Sequence, residues 1–343
     1  MTSGFWALML VVTANALLFH LIPRLSRPDI LFGVTVSEAY VAGVGRTLVS
    51  RYRMTVWAGA AAALAILLLL QSPQDDSGRG AMLMTGVMTG SIVFAHVAWQ
   101  LARQKARAHA LPPSDVRVAS LVTRDTSLPG GALFAAGPFA ILLATALLRY
   151  AYLDEVPDGP DTANPFGQLV FGAVFVAMML TMAVTLARRS RQIAADGPAA
   201  SAEQRFRRVN ILGLVLAAYA AAILLSAVTV KSIPGFGDTL SGRGWFVLVP
   251  LMLLNFGVTV WMLRVGQGGL RAVAPAARRE VHGDATPDHA WIFGMYYVNP
   301  RDPAMWVENR FGLGYTLNFG NWRAWLLIVA MMLFPMFAGR LLF

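Results

Sequence analysis

Eight predominantly apolar stretches, near residues 5–22, 54–70, 81–101, 131–148, 166–187, 209–230, 245–263 and 324–339, contain none of the chain's 18 acidic residues. That feature constrains the fold more than any other. An α-helix rises 1.5 Å per residue, so each stretch can cross a hydrocarbon layer roughly 30 Å thick, with modest tilt or thinning. Only 13% of the residues are charged and 57% are hydrophobic, too much oil for one buried core in water. The fold class that follows is an all-α polytopic membrane protein, a bundle of eight transmembrane helices. No charge precedes the first stretch, and Arg24 and Arg27 follow it, the reverse of a cleavable secretory signal.

The basic residues set an orientation. The first, third, fifth and seventh connections hold 23 of the 28 Lys and Arg, and the second, fourth and sixth hold 4. By the positive-inside rule the odd connections are cytoplasmic and both termini face outward. The net charge of +10 then has an anionic inner leaflet as its partner, and nucleic acid is not expected. With no cysteine, disulfides, thiolate metal sites and cysteine catalysis are excluded.

Within the spans, packing signals are of two kinds. Small residues recur at four-residue spacing, as Gly86 and Gly90, as Ala136, Ala140 and Ala144, and as Gly213, Ala217 and Ala221, a pattern that lets helices approach closely. Pro138, Pro250 and Pro335 are candidate kinks, and Trp245 and Trp261 suit opposite aromatic belts. The deeper polar residues, Asn15, His96 and Asn255, serve either interhelical hydrogen bonds or a polar intramembrane site. No ionisable acid is available for proton coupling.

The chain divides into a seven-span membrane region (1–264), a cytoplasmic linker (265–290), a cytoplasmic motif (291–320) and the last span (321–343). The linker contains "HGDATPDH", whose His282, Asp284, Asp288 and His289 are metal-ligand types in a Gly- and Pro-broken run, read as linker. The outer "YLDEVPDGPDTANPFG" reads as a solvated acidic turn or a cation site. No HExxH, GxSxG or GxxxxGK[ST] occurs, so no catalytic residue, metal or cofactor is expected.

The motif "WIFGMYYVNPRDPAMWVENRFGLGYTLNF" reads as strand, short helix, strand. The first strand is aromatic and β-branched, Asp302-Pro303 is a helix-start pair, and "YTLNF" alternates. Such a unit is marginal alone. "DILFGVTV" (29–36) and "VRVASLV" (116–122) are further strand-like runs, so the cytoplasmic connections are expected to combine into one small cap. Between them Tyr40, Val44, Leu48 and Tyr52 form one stripe of a helix leading into the second span. In the cap, Asn299, Asp302, Arg310 and Asn318 form a candidate ligand or partner site. Arg301 and Arg310 suit an anion, while Asn299 and Asn318 equally suit turns tied to their own backbone.

Trp291, Gly294, Tyr297, Asn299, Pro300, Asp302 and Pro303 spell W-x-x-G-x-x-Y-x-N-P-x-D-P. Val307, Arg310, Gly312, Gly314, Asn318 and Phe319 continue it. This pattern resembles a C-terminal domain of unknown function in bacterial multi-pass membrane proteins, some of them related to SdpI-type immunity and signalling proteins. "PRLSRPDILFGVTV" is similar to the first loop of that group. The resemblance implies a bacterial inner-membrane location and a sensor or immunity-type role with a cytoplasmic protein partner; it carries over no catalytic residue. The outer segment departs from the SdpI pattern, having no His and several acids. The alternative is a transporter or lipid-handling protein using Asn15, His96 and Asn255.

Overall fold

The computed structural model describes residues 3–70, 79–112, 126–153, 166–189, 197–231, 233, 235–236, 244–273 and 283–342. The chain divides into two compact units. The first contains residues 1–117, 274–298 and 308–316; the second contains 118–273, 299–307 and 317–343.

Among the described residues seven helices are long and apolar enough to cross a membrane, and a shorter apolar helical stretch covers Trp322–Leu333. The protein is therefore a mostly helical, multi-pass membrane protein. The first unit holds α1 (Ser3–Leu25), α2 (Glu38–Ala42), α3 (Val44–Leu69) and α4 (Arg79–Arg107), with α1, α3 and α4 packed on one another. The expected Tyr40-to-Tyr52 stripe is not one helix. Ser37 caps α2 through its Oγ, and Gly43, at φ −100° and ψ −109°, breaks it from α3. The break leaves Val44 exposed while Tyr52 stays buried.

Two hairpins belong to this unit. In the first, β1 (Ile30–Leu31) and β2 (Val34–Thr35) pair antiparallel with Leu31 opposite Val34. The turn residues are Phe32 and Gly33, both at positive φ, the signature of a tight two-residue hairpin turn. In the second, β3 (Trp291–Ile292) pairs with β4 (Tyr296–Tyr297), with Ile292 opposite Tyr296. Its turn starts with the same dipeptide, Phe293-Gly294, again at positive φ. The run "WIFGMYYV", expected as one strand, is thus two strands folded at the glycine.

The hairpin tips meet. A Cβ on Gly33 would lie 2.5 Å from the Gly294 carbonyl oxygen and 2.7 Å from its Cα. Residues 30–36 and 293–298 therefore combine as expected, whereas 116–122 lie outside the described residues. Phe32 is fully buried among Tyr52 and Trp99, at ring distances of 4.9 and 5.2 Å, and Phe311 packs 4.9 Å from Trp99. Phe293, in the equivalent position, is 59% exposed.

The second unit is built on α5 (Gly131–Ala151), α6 (Gly167–Ala187), α7 (Gly197–Lys231), α8 (Trp245–Val265) and α9 (Trp322–Leu342). Helix α7 packs on α5, α6 and α8, and α9 packs on α6. The α5–α7 seam is polar in part: Thr145 donates to Ser226 at 2.8 Å, and Tyr219 donates to the Phe134 carbonyl at 2.7 Å. Gly137 makes room for Tyr219.

The small-residue stripes do not all mark packing faces. Ala136, Ala140 and Ala144 are exposed, while the buried face of α5 is Ala135, Pro138, Leu142 and Thr145. Nothing lies within 4 Å of a Cβ built on Gly86 or Gly90, whereas one on Gly213 would touch Val258 at 3.5 Å. Both sides of a membrane helix are apolar, so composition alone does not say which side meets protein.

A cap of strands and short helical turns is present, with an internal order of its own. Residues 306–308, expected within a short helix, form β5 (Trp306–Glu308), which pairs with β6 (Tyr315–Leu317). The Asp302-Pro303 pair starts no helix; Asp302 instead accepts from the Ala304 backbone N–H at 3.0 Å, closing a turn.

Candidate functional site: the charge-locked cap

In the first unit, Arg310 is the organising residue. Its Nε donates to Asp284 Oδ2 and its Nη2 to Asp284 Oδ1, both at 2.8 Å. Nη1 donates to the Gly33 carbonyl at 3.0 Å and to Asp288, and Nη2 also reaches the Thr286 carbonyl at 2.8 Å. The guanidinium carbon stands 5.1 Å from the centre of the Trp291 ring, a cation–π contact. Neither Arg310 nor Asp284 has an exposed side chain. Such burial is tolerated because the charges are paired and their remaining hydrogen-bond capacity is used.

Asp288 completes the ring around Arg310 by accepting from the Thr35 backbone N–H at 3.1 Å and the Thr35 hydroxyl at 2.9 Å. Thr286 accepts from Trp291 Nε1 at 2.8 Å. Residues 283–290, at the end of the run that reads as linker, are thus packed into the unit: Asp284 is 1% exposed. Sequence spacing did not reveal this because its partner lies 26 residues downstream. His289 is exposed and His282 lies outside the described residues. Among the described residues no group of three His, Asp or Glu is arranged for a metal.

A second buried pair lies beside the first. Arg27 donates to Asp29 at 3.0 Å and to Glu308 at 3.2 Å, and Asp29 accepts from the Gly283 N–H at 2.7 Å. Ser26 Oγ, just past the end of α1, donates to the Arg310 carbonyl at 3.0 Å. From α4, Arg103 donates to the carbonyls of Gly33 at 3.2 Å and Trp291 at 2.9 Å, while Trp99 and Gln100 both donate to the Phe293 carbonyl. Helix ends and hairpin tips are therefore hydrogen-bonded into one assembly.

Electrostatics follow from this geometry. Burial pushes the Asp284 carboxyl upward, but the adjacent Arg310 and the Thr286 donors outweigh it and bring it down to about 2. Burial disfavours charge on Arg310 and Arg27. Their neighbouring carboxylates prevail, so both hold their protons more firmly than a free arginine.

The second unit has its own tie. The Asn318 side chain donates to the carbonyls of Asn299, Asp302 and Ala304 at 2.9, 3.0 and 3.2 Å. Its Oδ1 accepts from the Asn299 and Gly320 N–H groups, each at 3.0 Å. With one N–H shared between two carbonyls, these contacts use both donors and both acceptor sites of one fully buried amide. Gly320 fits against this knot; a Cβ there would lie 2.5 Å from the Asn299 carbonyl carbon. Arg189, beyond the end of α6, donates to the Trp306 carbonyl at 3.0 Å, and Trp306 Nε1 donates to Thr185 at 3.0 Å.

Of the four cap residues singled out from the sequence, Arg310 lies in the first unit and Asn299, Asp302 and Asn318 come together in the second. Arg310 spends its donors on protein, so the structure gives it the role of a buried clamp. Of the intramembrane residues, His96 Nδ1 lies 2.9 Å from the Ile92 carbonyl and its ring meets Phe19 edge-on. Asn255 donates to the Leu251 carbonyl at 2.8 Å on its own helix. Asn15 is half-buried on α1.

Comparison with family models matches residues 300–325 to a family of unknown function (DUF5808). The matched segment contains Arg310, Asn318 and Gly320, the residues on which the two ties are built, and it agrees with the C-terminal domain of unknown function expected from the sequence. Comparison with curated proteins and with solved structures gives no match.

Proposed function

We propose that this is an eight-span bacterial inner-membrane protein of sensor or immunity type, in which the cap is the cytoplasmic output. Both termini face outward, and a cytoplasmic protein reads the cap. One observation carries the reading. The buried Arg310–Asp284 pair joins segments separated by up to 277 residues, and Ser26, Trp99 and Arg103 connect that assembly to α1 and α4. A shift of either helix must move or break cap hydrogen bonds, because a buried charge pair has no solvated alternative nearby. The resemblance of the cap sequence to proteins with immunity and signalling relatives points the same way.

The test is a bacterial strain carrying the protein with Arg310→Met, or with residues 280–320 deleted, at membrane levels matched to the parent. Altered target-gene expression or altered resistance to secreted toxin peptides is expected. Unchanged expression together with unchanged resistance would overturn the proposal.

A further inference from the structure

A groove of about 780 Å³ opens in the first unit between the end of α1, α2 and the first half of α3. Arg46, Val49, Arg53 and Trp57 line it from α3, at spacings that place them on one helix face. His20, Leu31 and Glu38 face them.

The two arginines here differ from those of the cap. Arg27, Arg103 and Arg310 are buried and bonded to carboxylates or carbonyls. Arg46 is exposed and forms no ion pair or side-chain hydrogen bond among the described residues. Arg53 is half-buried, and its Nε is held by the His20 carbonyl at 3.1 Å. Its position is therefore set, while its two Nη groups have no partner among the described residues. Glu38 pairs with neither arginine.

The groove also sits at a defined depth. Arg53 immediately precedes the apolar run of α3, and Trp57 lies one turn further in, with Nε1 3.2 Å from His20 Nδ1. Arginine at the water edge with tryptophan a turn inside is the arrangement of a membrane interface. A ligand lying along this face meets guanidinium groups at one end and Met54 and Trp57 at the other.

We infer that this groove binds one anionic phospholipid, its phosphate held by Arg46 and Arg53 and an acyl chain lying along Met54 and Trp57. Guanidinium suits a phosphate diester because its forked donors match paired oxygens. Basic pockets between helices at the interface are the usual sites for anionic headgroups. The assignment rests on the groove's own residues and is independent of the sensor reading.

Native mass spectrometry of the purified full-length chain tests it, with phosphatidylglycerol, phosphatidylcholine and glycerol 3-phosphate offered separately. Retention of one phosphatidylglycerol, at least tenfold over phosphatidylcholine, is expected. Arg46→Gln, which removes no internal contact, and the Arg46→Gln/Arg53→Gln double variant should each weaken retention, the double by at least tenfold. Arg301→Gln, an equal loss of charge at an exposed cap position, should leave it unchanged. Equal retention of the two lipids by the parent protein would overturn the inference, as would full retention by Arg46→Gln and the double variant. Glycerol 3-phosphate held as firmly as the lipid would also overturn it, by identifying the ligand as a free anion.

Discussion

Arg310 grips Asp284 through two parallel hydrogen bonds of 2.8 Å, with neither side chain touching solvent. The pair closes the first-unit cap over Gly33, Thr35 and Thr286. Bidentate geometry makes the contact directional as well as strong.

Removing one partner leaves an uncompensated buried charge. Arg310→Ala or Asp284→Ala should therefore each cost about 3–5 kcal/mol, measured by denaturant unfolding of the detergent-solubilised protein. Because each single change already strands the other charge, the double variant should cost much less than the sum. Additive costs would mean that the two residues do not act as a pair.

Acid should act on the same pair. The Asp284 carboxyl lies at about 2 in the folded protein, below its unfolded value of about 3.9. A depressed carboxyl stabilises the fold above the unfolded value and loses that contribution as pH falls through the folded one. The melting temperature should fall between about pH 4 and pH 2, and Asp284→Asn should flatten that slope while lowering stability at neutral pH. Arg27 and Arg310 are shifted further from neutrality and contribute no slope in this window.

The hairpin contact depends on two absent side chains. Alanine at Gly33 would place a Cβ 2.5 Å from the Gly294 carbonyl oxygen, in a residue at φ +73°. Alanine at Gly294 would run into Arg103. Both substitutions should lower the melting temperature markedly: at Gly33 the obstacle is backbone, which cannot yield, and at Gly294, itself at φ +72°, moving Arg103 aside would break its hydrogen bonds to the Gly33 and Trp291 carbonyls. Gly86→Ala and Gly90→Ala, with open space around them, should leave it unchanged or slightly raised, as expected for Gly to Ala within a helix.

The absence of cysteine makes the orientation directly measurable. Arg301→Cys should react with an impermeant maleimide only after cells are opened, and Phe236→Cys, in the sixth connection, should react in intact cells. The opposite labelling would invert the orientation and place the cap outside.

Part of this architecture is readable along the line of the sequence. Span positions follow from runs of apolar residues, and each run lies essentially within a helix, though α3 and α7 begin well before theirs, because a bilayer responds to local length and composition. The Phe-Gly dipeptides at 32–33 and 293–294 are not legible as turns: each folds a run that reads as a single strand into a hairpin. The charge asymmetry between connections is equally local. Some of that charge has a second use: Arg27, Arg103, Arg189 and Arg310 are buried against protein.

What the tertiary structure alone decided is which polar groups meet. Asp284 sits in a run that reads as linker, and nothing near it in sequence announces Arg310, Gly33 or Thr35 as neighbours. Asn318 has the character of an ordinary turn residue until its contacts with Asn299, Asp302, Ala304 and Gly320 are seen. The faces that α4 and α5 present to protein were likewise undetermined, since apolar side chains suit lipid and protein alike. Crossing a membrane depends on composition summed over about twenty consecutive residues, so a single sequence carries it. Burying a charge depends on the geometry of partners drawn from separate segments, and that exists only once the chain has folded.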